Sequence, residues 1–246
     1  MKDKIIKVLN EVNRPGIPNL INFLKESDFF IAPASVNHHL NWRTGLSIHS
    51  WEVKENLQDI VQGYFSIMDN PPSFDNVVIE GIGHDFAKLG KYKIDEEDAS
   101  DKQLNYLANL INKNKVKKFY VEDGVLTNGY QNTKLTKSYC SDLIDWLLNH
   151  KEDDMPEFKE SWTYAEDNFP FGHGEKSVSI LQDFIKLEDR EKLAIRYHMS
   201  SWEDGVLNGG KSRDFNRAKE LYPDIQLLQM ADYEATFAEQ FMKVGD

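Results

Sequence analysis

The chain carries one cysteine, Cys140. No disulfide can close within it, which fits a reducing cytoplasm, and a lone cysteine is expected as a small buried residue in a helix. No stretch approaches the roughly 18 consecutive apolar residues that a membrane-spanning helix needs. The opening segment, MKDKIIKVLNEVNRPG, is charged and amphipathic and lacks a small-residue cleavage site, so it does not read as a signal peptide. A cytoplasmic location is the expectation. Positive charge is in deficit: Lys and Arg number 29 against 41 Asp and Glu, for a formal charge of −12 and a pI near 5.1. That balance disfavours long nucleic acid and anionic membrane as partners. It leaves room for a small anionic, phosphate-containing substrate, because bound divalent cations reverse the local field. There is no internal repeat, no low-complexity segment and no linker long enough to separate distinct domains.

What is present is mostly helical period. Apolar residues make up 40% and aromatics 12% of 246 residues, enough for a substantial core. Residues 2–13 place Ile5, Ile6, Leu9 and Val12 on one stripe, and RPG stops the helix. Residues 18–27 open on proline at an early helical position. Further helices are expected over 46–62, 76–88, 133–149, 174–186, 189–199 and 224–243. Residues 117–130 depart from the pattern: short apolar pieces flank Glu122-Asp123-Gly124, a hairpin signal. The expected fold class is therefore all-α, one domain over 1–246 with an N-terminal helical extension over 1–30 and a β-hairpin insertion around 117–130.

Within GIGHDFAKLG lie His84 and Asp85, and His49, His173, His198 and Asp232 are strung out around them. Imidazole and carboxylate together are the ligand set that first-row divalent metals take. Each histidine alone is weak, because a helical histidine is more often a hydrogen-bonded structural residue. Placement adds weight. Asp232 sits amid Leu227, Leu228, Met230 and Ala231, and Asp85 among similarly apolar neighbours. A buried carboxylate needs a cation or several hydrogen bonds to stay charged, so metal coordination and salt bridges to lysine or arginine are the two readings.

The order His49, then His84-Asp85, then Asp232 resembles the HD superfamily of metal-dependent phosphohydrolases, as do the strings HHLNWRTGLSIHSWEV and HDFAKLG. The matched strings run over residues 38–238. The resemblance implies an HD-domain helical bundle gathering these ligands around divalent ions, with two ions (Mn, Fe, Co, Ni or Mg) expected. His49, His84, Asp85 and Asp232 would hold one, and Asp85, His173 and His198 the other, with Asp85 bridging. It further implies hydrolysis of a phosphate ester by a metal-activated hydroxide, with no serine or cysteine nucleophile. Asp85 and Lys88 would be the catalytic residues.

Lys88 lies four residues after His84, which on a continuous helix puts both on one face, as a cation for a substrate phosphate or the leaving oxygen. His39 and Arg43, one segment upstream of His49, could recognise substrate from the rim, as could His38. Lys176 near a helix start and Arg213, with Lys211 and Arg217, are candidate phosphate contacts. Glu52, one turn after His49, could orient that imidazole. His150 reads as a helix C-terminal cation, and Trp42 and Trp202 as candidate base-stacking residues. Two other functions share the ligand set: a mixed-valent di-iron oxygenase, and a nucleotide-binding sensor whose metal site is structural.

Overall fold

The computed structural model describes residues 1–36, 38–95, 97–114, 120–127, 132–149, 162–199 and 212–241. The described chain is mostly helical with two small sheets, in keeping with the all-α expectation. It divides into two compact units, Met1–Tyr92 with Ala165–Asp246, and Lys93–Tyr164.

The first unit holds α1 (Lys2–Glu11), α2 (Ile17–Glu26), α3 (Gly45–Tyr64), α4 (Phe74–Gly83), α7 (His173–Gln182), α8 (Asp189–Tyr197), α9 (Ser212–Leu221) and α10 (Asp224–Glu239). The helices start where the side chains can cap them. Ser73 and Asn76 form a reciprocal capping box on α4, and Glu188 and Glu191 do the same on α8. Apolar faces then pack into two clusters. One joins α1 and α2 to Ile79, Ile82, Phe86 and Leu181. The other joins Val53 and Leu57 of α3 to Leu228, Ala231 and Ala235 of α10. Helix α3 lies against both α4 and α10, and α8 against α7 and α10, so five helices frame one interior space.

Close approach of these helices depends on glycine. A Cβ on Gly81 would lie 2.5 Å from the Cα of Lys54, so α4 rests directly on the backbone of α3. A Cβ on Gly174 would lie 2.2 Å from the carbonyl oxygen of Arg196, which seats the first turn of α7 on α8. A hydrogen bond from Asn56 Nδ2 to the Ala231 carbonyl (3.3 Å) ties α3 to α10 just before Asp232.

The second unit holds α5 (Asp101–Lys113), α6 (Lys137–Asn149) and five short strands. Strands β2 (Tyr120–Glu122), β3 (Val125–Thr127) and β4 (Asn132–Lys134) form an antiparallel sheet in which Val121 pairs with Leu126 and Leu126 with Thr133. Strands β1 (Tyr92–Ile94) and β5 (Trp162–Tyr164) form the other sheet. Leu107, Leu110, Leu126, Cys140, Leu143 and Leu147 make a core of their own.

Several sequence expectations change. The segment around the hairpin is larger than expected: it includes α5 and α6, buries its own apolar cluster and forms a compact unit of its own. Helix α5 is an addition to the expected elements, although Leu107, Leu110 and Ile111 have helical spacing and Ser100 caps it with Gln103. The helix expected over 76–88 ends at Gly83 and continues as a 3-10 turn over Phe86–Lys88. His84 and Lys88 therefore do not share a regular helical face.

Candidate metal centre

Three helices and the turns that follow two others contribute to a buried cluster. His49 comes from the second turn of α3, His84 and Asp85 from the end of α4, and His173 from the start of α7. His198 follows α8, and Asp232 lies in the middle of α10. His49, His84, Asp85 and His198 are almost wholly buried. Asp232 and His173 keep 19% and 21% of their side chains exposed, so the open side of the cluster lies between them.

The two oxygens of Asp85 face different histidines. Oδ2 lies 3.4 Å from His49 Nε2 and 3.6 Å from His84 Nε2. Oδ1 lies 2.7 Å from His173 Nε2 and 3.8 Å from His198 Nε2. Asp232 Oδ1 completes the first side, 3.2 Å from His49 Nε2. The sets His49–His84–Asp85, His84–His198–Asp232 and Asp85–His173–His198 each offer ligand atoms within 4.8 Å of one another. These buried groups could hold a metal ion.

The outer nitrogens explain why the inner ones are available. His84 Nδ1 donates to the Gly81 carbonyl (2.9 Å) and His198 Nδ1 to the Ile195 carbonyl (2.6 Å). A carbonyl only accepts, so in the neutral ring Nδ1 carries the hydrogen and Nε2 presents a lone pair. His49 Nδ1 donates to Glu239, at 2.9 and 3.1 Å from its two oxygens. His198 Nε2 is buried and has no hydrogen-bond partner among the described residues, and the Nε2 atoms of His49 and His84 stand 3.3 Å apart. Bare nitrogens aimed at one another and at carboxylates call for a positive charge between them, which is the fit expected of a cation site.

Without an ion, protons meet some of that need. Burial opposes charge on His49, but the Asp232 and Glu239 carboxylates outweigh it and push the imidazole up to about 10. At His84 burial wins: it pushes the imidazole down to about 3, although the Asp85 and Asp232 carboxylates act the other way. Burial works against the Asp85 charge too, yet Lys88 and the surrounding histidines hold it well below the ordinary carboxylate value. Asp232 is held low in the same way, chiefly by His49.

The turn after Asp85 fixes Lys88. Ser177 Oγ accepts the Ala87 N–H (2.9 Å) and donates to the His173 carbonyl, pinning the turn to α7. Lys88 Nζ sits 2.6 Å from Asp85 Oδ2. Burial disfavours its charge, but Asp85 raises its pKa, so it is a fixed cation at the centre.

His39 is also brought to the cluster. Its ring lies 5.2 Å from that of His49, and its Nε2 is 3.7 Å from Glu239 Oε2. Burial and the charges of His49 and Lys88 push it down to about 4, so it is neutral. The loop that carries it is strained: Leu40 and Thr44 have φ of 45° and 73°, a region that side chains with a Cβ avoid. Such geometry persists only where the surroundings enforce it. Here the Leu40 carbonyl accepts the Ala34 N–H and Ser35 Oγ donates to the His39 carbonyl.

Other candidates lie elsewhere. Lys176 stands in the first turn of α7, paired with Asp167 at 2.8 Å. Arg43 is exposed in the turn before α3. Arg213 is exposed at the start of α9, and Arg217 pairs with Glu220 at 2.8 Å. His38 is exposed. His150, Trp202 and Lys211 lie outside the described residues. Glu52 does not orient His49; Glu239 does. The sequence holds a signal for it, since Glu239 follows Asp232 by two helical turns and so shares its face.

No family model, no curated protein and no solved structure matches this chain.

Proposed function

We propose that the protein is a metal-dependent phosphohydrolase of the HD type, acting on nucleotides or other short phosphate esters. The observation that carries this reading is the split of Asp85. One oxygen faces His49 and His84, the other His173 and His198, so Asp85 could contribute a ligand atom to each of two neighbouring cation sites. On this reading His49, His84, Asp85 and Asp232 would hold one ion, and Asp85, His173 and His198 the other. Two divalent ions, when bound, supply a water of lowered pKa and a clamp for phosphoryl oxygens.

The chain's own residues do the rest. Lys88, held as a cation by Asp85, meets the negative charge that grows as the bond from phosphorus to the leaving oxygen breaks. Glu239 holds His49 in the tautomer that presents Nε2. Neutral His39, at the edge of the cluster, is a hydrogen-bonding contact for substrate. Manganese, iron, cobalt, nickel and magnesium are all compatible with histidine and carboxylate ligands.

Phosphate release from a panel of nucleotides and phosphodiesters, with manganese, cobalt or magnesium, tests this directly. Metal-dependent turnover of at least one ester is expected. A filled site that turns over none of them overturns the reading. Iron bound with consumption of oxygen would favour an oxygenase instead.

A further inference from the structure

Helix α10 is apolar on two faces. Leu228, Ala231 and Ala235 pack into the core with α3, and Asp232 and Glu239 meet His49 from that side. Turned away from them, Met230, Tyr233 and Phe237 recur at helical spacing, and Phe241 extends the line just past the helix end. The Phe241 N–H donates to the Ala238 carbonyl (3.0 Å), and the rings of Phe237 and Phe241 meet edge to face at 5.6 Å, so the last ring stays in the stripe. In chain order the four residues are 46%, 77%, 57% and 72% exposed. Glu234 is the one charged residue of the helix that is exposed.

A helix that is apolar all round belongs inside a larger core. At roughly 200 Å² for a residue of this size, these fractions leave about 500 Å² of apolar surface open on each chain, an extent that marks an interaction site. The helix has no Lys or Arg, whereas an amphipathic helix lying on a membrane flanks its apolar face with them. With one exposed carboxylate it offers a charged partner little as well. Its complement is another uncharged apolar stripe, and every further copy of the chain carries one. Two such stripes together bury about 1,000 Å², the size a specific interface needs, before the flanking Gln226 and Ala238 are counted. A two-fold axis at the middle of the stripe sets Tyr233 of each copy against Phe237 of the other, and Met230 against Phe241. That contact is isologous and closes at two chains.

We propose that the protein forms a two-fold dimer through this outer face of α10, the two helices packed side by side. The proposal is independent of what the metal centre catalyses. Each chain carries a net charge of −12, so two copies repel one another through the solvent. Salt screens that repulsion and leaves apolar contact in place, so added salt favours the dimer.

The test is sedimentation equilibrium of the full chain from about 1 to about 100 μM, the range suited to an interface at the low end of the specific size class. The mass should rise with concentration from 28.5 kDa toward twice that value. Raising salt from about 50 to about 500 mM should shift the rise to lower concentration. Phe237→Glu and Tyr233→Glu each set a carboxylate in the middle of the stripe and should weaken association at least roughly tenfold. Tyr106→Glu, at an exposed residue of α5, adds the same charge and should leave association unchanged. Circular dichroism shows that each variant folds, and if one does not, the other decides. A readout on the unaltered chain stands beside them: amide exchange in α10 should slow at the highest concentration, while that in α5 should not. The dimer is overturned by a mass of one chain throughout, by masses beyond two chains, or by association that salt dissociates. It is equally overturned if the stripe variants associate as the unaltered chain does, if Tyr106→Glu weakens association as much as they do, or if exchange in α10 ignores concentration.

Discussion

Asp85 is the residue on which the centre converges, since its two oxygens serve both groups of imidazoles. Asp85→Ala should abolish metal binding or leave at most one weakly held ion. His38→Ala, at an exposed neighbouring histidine, should leave metal content unchanged. Elemental analysis of both purified variants decides, and equal content in the two would refute the assignment. Glu239 acts one bond further out. Glu239→Ala should lower metal affinity about 10–100-fold by freeing the His49 tautomer, with Glu239→Gln intermediate because it can still accept a hydrogen bond. Competition with a chelator of known affinity measures this. Glu80 offers a separate reading of pH. It is fully buried on α4, and neither oxygen has a hydrogen-bond partner among the described residues. Burial, then the nearby Asp224 and Glu191, raise its pKa well above the ordinary 4.5. The folded state thus keeps a proton that the unfolded chain releases. Stability is full below the unfolded value and declines as pH rises from there toward the folded value. Glu80→Gln should therefore stabilise the protein at about pH 8 and change little at about pH 4, by chemical denaturation.

At the scale of elements, the centre exists because α4 can lie on α3. Gly81→Ala would normally favour a helix by about 1 kcal/mol. Its new Cβ, however, would meet the Lys54 Cα at 2.5 Å, and backbone cannot swing aside as a side chain can. The clash should win, with a net loss of about 1–3 kcal/mol and weaker metal binding, because His84 is displaced from His49. Urea unfolding and metal content measured on one preparation test both. Unchanged stability would show that the helices have room to move apart. The elements also show where pattern reading stops. The strong apolar stripes of α1, α2 and α3 are legible, as is the hairpin signal at Asp123-Gly124. Helix α9 buries only Phe215 and Ala218 among charged residues, too narrow a stripe to stand out. The end of α4 at Gly83 is likewise invisible to periodicity, because apolar residues continue through Phe86 and Ala87, which the 3-10 turn also buries.

For the whole molecule, two cores imply two sets of stabilising contacts. Leu143 is buried in the unit Lys93–Tyr164. Leu143→Ala should cost about 2–5 kcal/mol and speed hydrogen exchange in α5 and α6. Metal content, set by residues of the other unit, should be unaffected. Faster exchange throughout the chain would instead show that the two cores unfold together.

Composition and spacing determined the helical class, the burial of Cys140 and the ligand types, because apolar period and residue chemistry are local properties of a chain. The candidate centre was legible as His49, His84, Asp85, His173, His198 and Asp232 because histidines and aspartates among apolar neighbours are conspicuous. Only the tertiary structure decided that Asp85 divides its oxygens and that Glu239 rather than Glu52 holds His49. Those facts depend on how closely α3, α4, α7 and α10 approach one another. That approach is set by packing between residues far apart in sequence, and no local pattern encodes it.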